Sequence, residues 1–131
     1  MPLQRIDMAM GRTEEQRRAI ADAIHRALVE SIGVPADDRF QIVTEHARSG
    51  FLTTPAYLGI RYRDPVLVQL TISSGRTTEQ KQTLYRRTVE LLEAAGVART
   101  DAIINLVEVA KDCWSFGEGI AHYVPGADPR K

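Results

Sequence analysis

The chain has 131 residues, of which 44% are hydrophobic and 26% charged, enough to bury a core and form one domain over residues 1–131. Seventeen acidic and seventeen basic residues cancel, so no basic field is available to hold a phosphate backbone and nucleic acid is not expected as a partner. No apolar run approaches the roughly 18 residues of a membrane helix, the first residues lack the apolar stretch of a signal peptide, and Cys113 is the single cysteine, all of which predicts a cytoplasmic protein with no internal disulfide.

The chain opens MPLQRID. Proline has no N–H for a sheet ladder and sits at strand starts. Methionine is normally trimmed before a small residue, and trimming Met1 leaves Pro2 with a free secondary amine that no other residue type can supply. An apolar-rich strand over 3–8 runs into GRTEEQRRAI at 11–20, which recurs as GRTTEQKQTL at 75–84. The offset is 64, and it also matches Leu3 to Leu67, Ile6 to Leu70 and Val43 to Val107. Gly33-Val34 recurs as Gly96-Val97 at offset 63, a single-residue change in one half. The chain therefore holds two copies of one unit, over 2–45 and 66–109, separated by a connector at 46–65 and followed by a tail at 110–131.

Each copy is read as strand, helix, strand. Thr13 with Gln16, and Thr77 with Gln80, match a capping box. Ile20, Ala23, Ile24, Ala27 and Leu28 keep helical spacing in the first helix, and Leu84, Thr88, Leu91, Leu92 and Ala95 in the second; Gly33 and Gly96 end them. His25 falls off the first stripe and is placed on the surface. Second strands follow at 39–45 and 102–109. Strand–helix–strand implies parallel pairing within each copy. The α/β fold class that results is a four-stranded, mainly parallel sheet with two helices on one face. Apolar residues at both parities of 66–72 call for cover on the other face by a second copy of the chain, hence a homo-oligomer. The connector reads as a short hairpin or a partner-wrapping segment, and the tail as ending in a short hairpin against a neighbour.

The N-terminal proline, the doubled unit and the length resemble the tautomerase superfamily. Within it, the opening MPL, GVPADDRFQ at 33–41, SGRTTEQK at 74–81 and WSFGEG at 114–119 are similar to the malonate semialdehyde decarboxylases. The resemblance implies a trimer, Pro2 as catalytic amine, Asp38 as the assisting acid and Arg76 as a carboxylate-binding arginine. It also implies Trp114 and Phe116 as an apolar wall. Ser74 stands where those decarboxylases carry their other arginine. The implied substrate is a small anionic oxo acid, the implied reaction loss of CO₂ to give acetaldehyde. The alternatives are a keto–enol tautomerase of phenylpyruvate-type substrates and a non-catalytic oligomer with a vestigial pocket.

The residues carry part of this unaided. Arg76 precedes the Thr77 cap, and a helix N-terminus offers unpaired N–H groups and partial positive charge to an anion, to which arginine adds a planar fork. Arg12 holds the same place in the first copy. Asp38 follows Pro35 in a turn where aspartate is common on backbone grounds. Ser74 offers one neutral hydrogen bond to the substrate and removes a like charge near Pro2, which favours the protonated amine; an apolar pocket pushes the other way. His25, His46 and His122 have no metal-ligand spacing and GRTTEQK is not a phosphate loop, so neither metal nor cofactor is expected.

Overall fold

The computed structural model describes residues 1–131. Its elements in order are β1 (Pro2–Ala9), α1 (Glu14–Ile32), β2 (Gln41–His46), β3 (Ala56–Tyr57), β4 (Ile60–Arg61), β5 (Val66–Ser73), α2 (Thr78–Ala94) and β6 (Ala102–Val109). One-turn 3₁₀ segments stand at Arg48–Gly50, Arg99–Asp101 and Lys111–Cys113. No helix is long and apolar enough to cross a membrane.

Both helices start where the capping boxes place them. The hydroxyls of Thr13 and Thr77 accept from the backbone N–H of Gln16 and Gln80 at 3.1 Å, and the glutamine side chains accept from the threonine N–H at 2.8 Å. Each cap contributes about 1 kcal/mol. Gly33 closes α1 in the left-handed region at φ 71°.

The sheet order is β2-β1-β5-β6. Pairing is parallel inside each copy and antiparallel between β1 and β5. Ile6 and Met8 of β1, with Val66, Val68, Leu70 and Ile72 of β5, face Ile20, Ile24 and Leu28 of α1 and Leu84 and Leu92 of α2 in one buried cluster. The opposite sheet face stays half open: Leu3, Ile42 and Val107 are 36%, 44% and 37% exposed, interleaved with Arg5, Gln69 and Asn105.

Four expectations need correction. The match of Val43 to Val107 is out of step by one. Gln4 pairs with Gln41, and its counterpart Val68 pairs with Ile104, so the 63-residue offset that begins at Gly33 persists through the second strand. The helices differ in length, 19 residues against 17, which is where the shift arises. His25 is buried, 8% exposed, because it serves hydrogen bonds rather than the apolar stripe. Its Nε2–H donates to the Ala36 carbonyl at 2.9 Å, and its Nδ1 faces the Gln4 amide at 3.5 Å. The second strand begins at Gln41 rather than 39, since Arg39 and Phe40 still belong to the irregular segment that follows the turn. Residues 114–131 hold no hairpin. Gly117, Glu118, Gly119 and Gly126 all take positive φ, and successive turns close at Ile120, Val124 and Ala127, leaving no extended run to pair. The connector does carry a small hairpin, β3–β4, turning through Leu58 and Gly59 at φ 51° and 79°.

Candidate functional site

The antiparallel join decides where chemistry can occur. Pro2 pairs with Ile72, so the start of β1 lies beside the end of β5 and the Ser73–Arg76 segment that follows. β2 runs parallel to β1, with Gln4 donating to the Phe40 carbonyl at 2.9 Å, so the Asp38 turn arrives at the same corner. β6 runs parallel to β5 and ends there too, Ser74 N–H donating to Val109 at 2.8 Å. It delivers Lys111 and then Trp114 and Phe116. Residues far apart in sequence thus meet at one end of the sheet.

At that corner the Met1 ammonium lies 3.8 Å from Asp38 Oδ2, and Pro2 is buried directly behind it. Asp38 Oδ1 is buried without a partner. Burial pulls the amine below its usual range; Asp38 opposes this, while Arg76 and Lys111 reinforce it. Burial pushes Asp38 above the usual carboxylate range, against the pull of the ammonium. At the Met1 amine desolvation leads, and Lys111 supplies positive charge where Ser74 supplies none. The phenol of Tyr123 is also pushed up, first by burial and then by Asp38, which keeps it a neutral donor.

Two cavities flank Met1. One, of 440 Å³, is lined by Ser73, Ser74, Arg76, Lys111 and Tyr123 among others. The other, of 230 Å³, is lined by Asp38, Phe40, Phe116, His122 and Tyr123. Met1 and Tyr123 border both, so they are a polar and an apolar lobe of one site. Arg76 donates from Nη1 to the Ser73 carbonyl at 2.9 Å, which fixes its guanidinium at the mouth of α2. Ser74 is exposed on the polar rim. Phe116 forms the apolar wall with Phe40, Tyr123 and His122, ring centroids 5.3–6.2 Å apart. Trp114 stands one layer back. It stacks on Phe116 at 5.7 Å and donates its Nε1–H to Ser73 Oγ at 3.1 Å, bordering neither cavity. A larger groove of 670 Å³ lies over α1 and β2, but two of its arginines are already paired, Arg17 with Glu45 at 3.2 Å and Arg39 with Asp22 at 2.6 Å.

Two features were absent from the sequence reading. Lys111 and Tyr123 carry no local motif and reach the site only through the strand register, while Phe40, inside GVPADDRFQ, and His122 were given no role there. Beneath it, Gln41 Nε2 donates to Gln4 Oε1 and to the Ala21 carbonyl, both at 2.7 Å. Through Gln4 and His25 this chain ends on Ala36, two residues before Asp38, and so ties down the turn that carries the acid. Alternating glutamines at strand starts were the available signal.

The second copy shows what is distinctive here. Asp101, 63 residues beyond Asp38, accepts from the backbone N–H of Arg63 at 2.9 Å and Asp64 at 3.2 Å. Arg12, the counterpart of Arg76, donates to the Asp64 carbonyl at 3.0 Å and lies 3.5 Å from its carboxylate. At that end, passing chain fills the corner, both Asp101 oxygens are hydrogen-bonded, and Arg12 faces a carboxylate. At the other end a terminal amine fills it instead, Asp38 keeps an unpartnered oxygen, and Arg76 has no carboxylate against it.

A profile of the tautomerase enzyme family matches residues 38–117, and a second tautomerase enzyme profile matches residues 2–61. Probable tautomerase YrdN of Bacillus subtilis (strain 168) is 37% identical over 127 residues, spanning 96% of this chain and 98% of that protein. The crystal structure of FG41 malonate semialdehyde decarboxylase inhibited by 3-bromopropiolate is similar at TM-score 0.88 and 45% identity, covering 92% of this chain and 93% of that one. A fused 4-OT, solved as a symmetric trimer, shares the fold at TM-score 0.76 and 24% identity, covering 90% of this chain and 94% of its own.

Proposed function

This chain belongs to the tautomerase family, and we propose that it is an N-terminal-proline enzyme that decarboxylates malonate semialdehyde or a closely related small oxo acid. The observation that carries the reading is the Met1 terminal amine within ion-pair reach of the part-buried Asp38, in a site whose polar lobe is lined by Arg76. Its 45% identity to a malonate semialdehyde decarboxylase over nearly the whole chain supports the choice of substrate.

The reading requires removal of Met1, after which the Pro2 secondary ammonium takes the corner beside Asp38. Arg76 and the N-terminus of α2 hold the substrate carboxylate. The ammonium donates to the aldehyde oxygen, where negative charge grows as the C–C bond breaks. The bonding electrons pass into the enolate as CO₂ departs; the enolate carbon then takes the proton of the Pro2 ammonium to give acetaldehyde, and solvent returns a proton to the amine. Asp38 favours the charged amine in a setting where burial and neighbouring cations disfavour it. The apolar lobe around Phe116, buttressed by Trp114, excludes water from the enolate. The half-open sheet face supports a homo-oligomer, a trimer as described for the fused 4-OT.

The test is acetaldehyde release from malonate semialdehyde by the processed protein, its Pro2→Ala variant and its Arg76→Ala variant. Loss of the positioned acid lowers turnover by about a hundredfold or more; unchanged turnover in both variants overturns the assignment. A second reading has its own support, since YrdN is named a probable tautomerase. In that case a neutral Pro2 shuttles a proton between carbon and oxygen of a phenylpyruvate-type enol, and ketonisation of that enol exceeds decarboxylation.

A further inference from the structure

The polar lobe holds the amine, Arg76 and Lys111, and no carboxylate lines it. One arm of Arg76 is already committed to the Ser73 carbonyl, so the guanidinium alone does not meet all the acceptor positions of a bound carboxylate. Lys111 is exposed and takes no part in an ion pair, unlike Lys81, which is held by Glu108 at 2.6 Å.

The internal repeat shows what a cation at this position reaches. Counting 63 residues back from Lys111 gives Arg48, and each residue opens a 3₁₀ turn just after the second strand of its copy. Arg48 overhangs the Gly-Arg-Thr loop of the first copy. It donates from Nη2 to the Met10 carbonyl at 3.1 Å, and the same nitrogen lies 3.5 Å from where a Cβ on Gly11 would stand. Met10, Gly11 and Arg12 correspond to Ser74, Gly75 and Arg76. At the first-copy loop the neighbouring arginine is neutralised by Asp64; at the second-copy loop Arg76 and Lys111 share an uncompensated cavity.

We propose that Lys111 is the second anion anchor of this site, reaching over the Ser74–Gly75 turn to hold the substrate carboxylate together with Arg76. It supplies from the end of β6 the charge that Ser74 does not supply from the end of β5. This inference rests on the oxo-acid reading for its substrate, but not for its geometry. An ammonium on a flexible stem grips as a point charge rather than a fork, so it contributes affinity more than orientation.

The experiment compares wild type, Lys111→Met, Lys111→Arg and the double variant Lys111→Met/Ser74→Arg. Two readouts are taken: kcat and KM for malonate semialdehyde, and the Kd of malonate as a non-reacting probe by calorimetry. Lys111→Met raises KM and the malonate Kd together by about tenfold to a hundredfold, the range for a hydrogen bond to a charged group, while kcat stays within about twofold, the signature of lost uniform binding. Lys111→Arg stays close to wild type, and Ser74→Arg restores most of the affinity lost in Lys111→Met. Should Lys111→Met leave both KM and malonate affinity unchanged, the anchor is refuted. A loss that neither Lys111→Arg nor Ser74→Arg relieves also refutes it, since that is the behaviour of a structural residue. Wild type that binds malonate in a Lys111-dependent way without releasing acetaldehyde keeps the anchor and sinks the decarboxylase reading. Wild type that does neither sinks both.

Discussion

Replacing Asp38 by asparagine keeps the shape of the side chain and removes its charge. Before processing, the Met1 nitrogen lies 3.8 Å from Oδ2, and the proposed mechanism puts the Pro2 nitrogen of the processed chain in that place. Two unit charges at that separation attract by about 1 kcal/mol in water and about 4 kcal/mol at an effective dielectric of 20. The Asp38 side chain is 15% exposed, so the interaction falls between these limits, and each 1.4 kcal/mol is about tenfold in the population of the charged amine. The variant amine is expected to release its proton at clearly lower pH than the wild-type amine. Its turnover near neutrality falls with the fraction protonated. Nitrogen NMR of a proline-labelled sample reads the titration directly, and kcat/KM against pH reads its consequence. Because Asp38 Oδ1 is buried without a partner, the same change is not expected to lower the thermal midpoint, which separates an electrostatic loss from unfolding. An amine that titrates alike in both proteins would refute the claim that Asp38 holds the ammonium.

Further outcomes follow from the same corner. The competent state has Asp38 ionised and the Pro2 amine protonated; Asp38 is shifted up, and the burial that pulls down the Met1 amine in this corner is expected to act on the Pro2 amine that replaces it. Activity is therefore lost on the acid side at a higher pH than an ordinary carboxylate would give, and on the alkaline side at a lower pH than an ordinary terminal amine would give. The kcat/KM profile is a narrowed bell. A rate that instead climbs through the alkaline limb would mean a neutral amine acting as base, and would favour tautomerisation. His25→Leu leaves the fully buried Gln4 amide without its ring partner and costs about 1–3 kcal/mol, read by thermal denaturation at fixed protein concentration; an unchanged midpoint would show that the glutamine chain does not brace the Asp38 turn.

Much of the architecture was written locally. Thr-x-x-Gln twice, glycine after each helix and apolar spacing between them mark two strand–helix–strand units without reference to anything else in the chain. Their mutual arrangement was not local. Nothing in either copy says that β1 and β5 run antiparallel, yet that join brings Arg76 to the start of β1. Pro2, Asp38 and Arg76 were nameable because each sits in a distinctive stretch. Lys111 and Tyr123 sit in ordinary ones and gain meaning only from the β5–β6 register. Lys111 was nonetheless accessible in principle, as the repeat partner of Arg48, once the shift of one residue was carried through the second strand. His25 was misread because helical spacing reports apolar burial, whereas this ring is buried for its two nitrogens.

The most direct measurement compares acetaldehyde release from malonate semialdehyde by two samples of this chain, one with Met1 removed and one with Met1 retained, each verified by intact mass. Retained methionine locks the Pro2 nitrogen into an amide and fills the space between the two lobes. The processed protein is expected to turn over and the unprocessed protein to be slower by about two orders of magnitude or more. Equal rates would mean that the proline nitrogen takes no part in the chemistry.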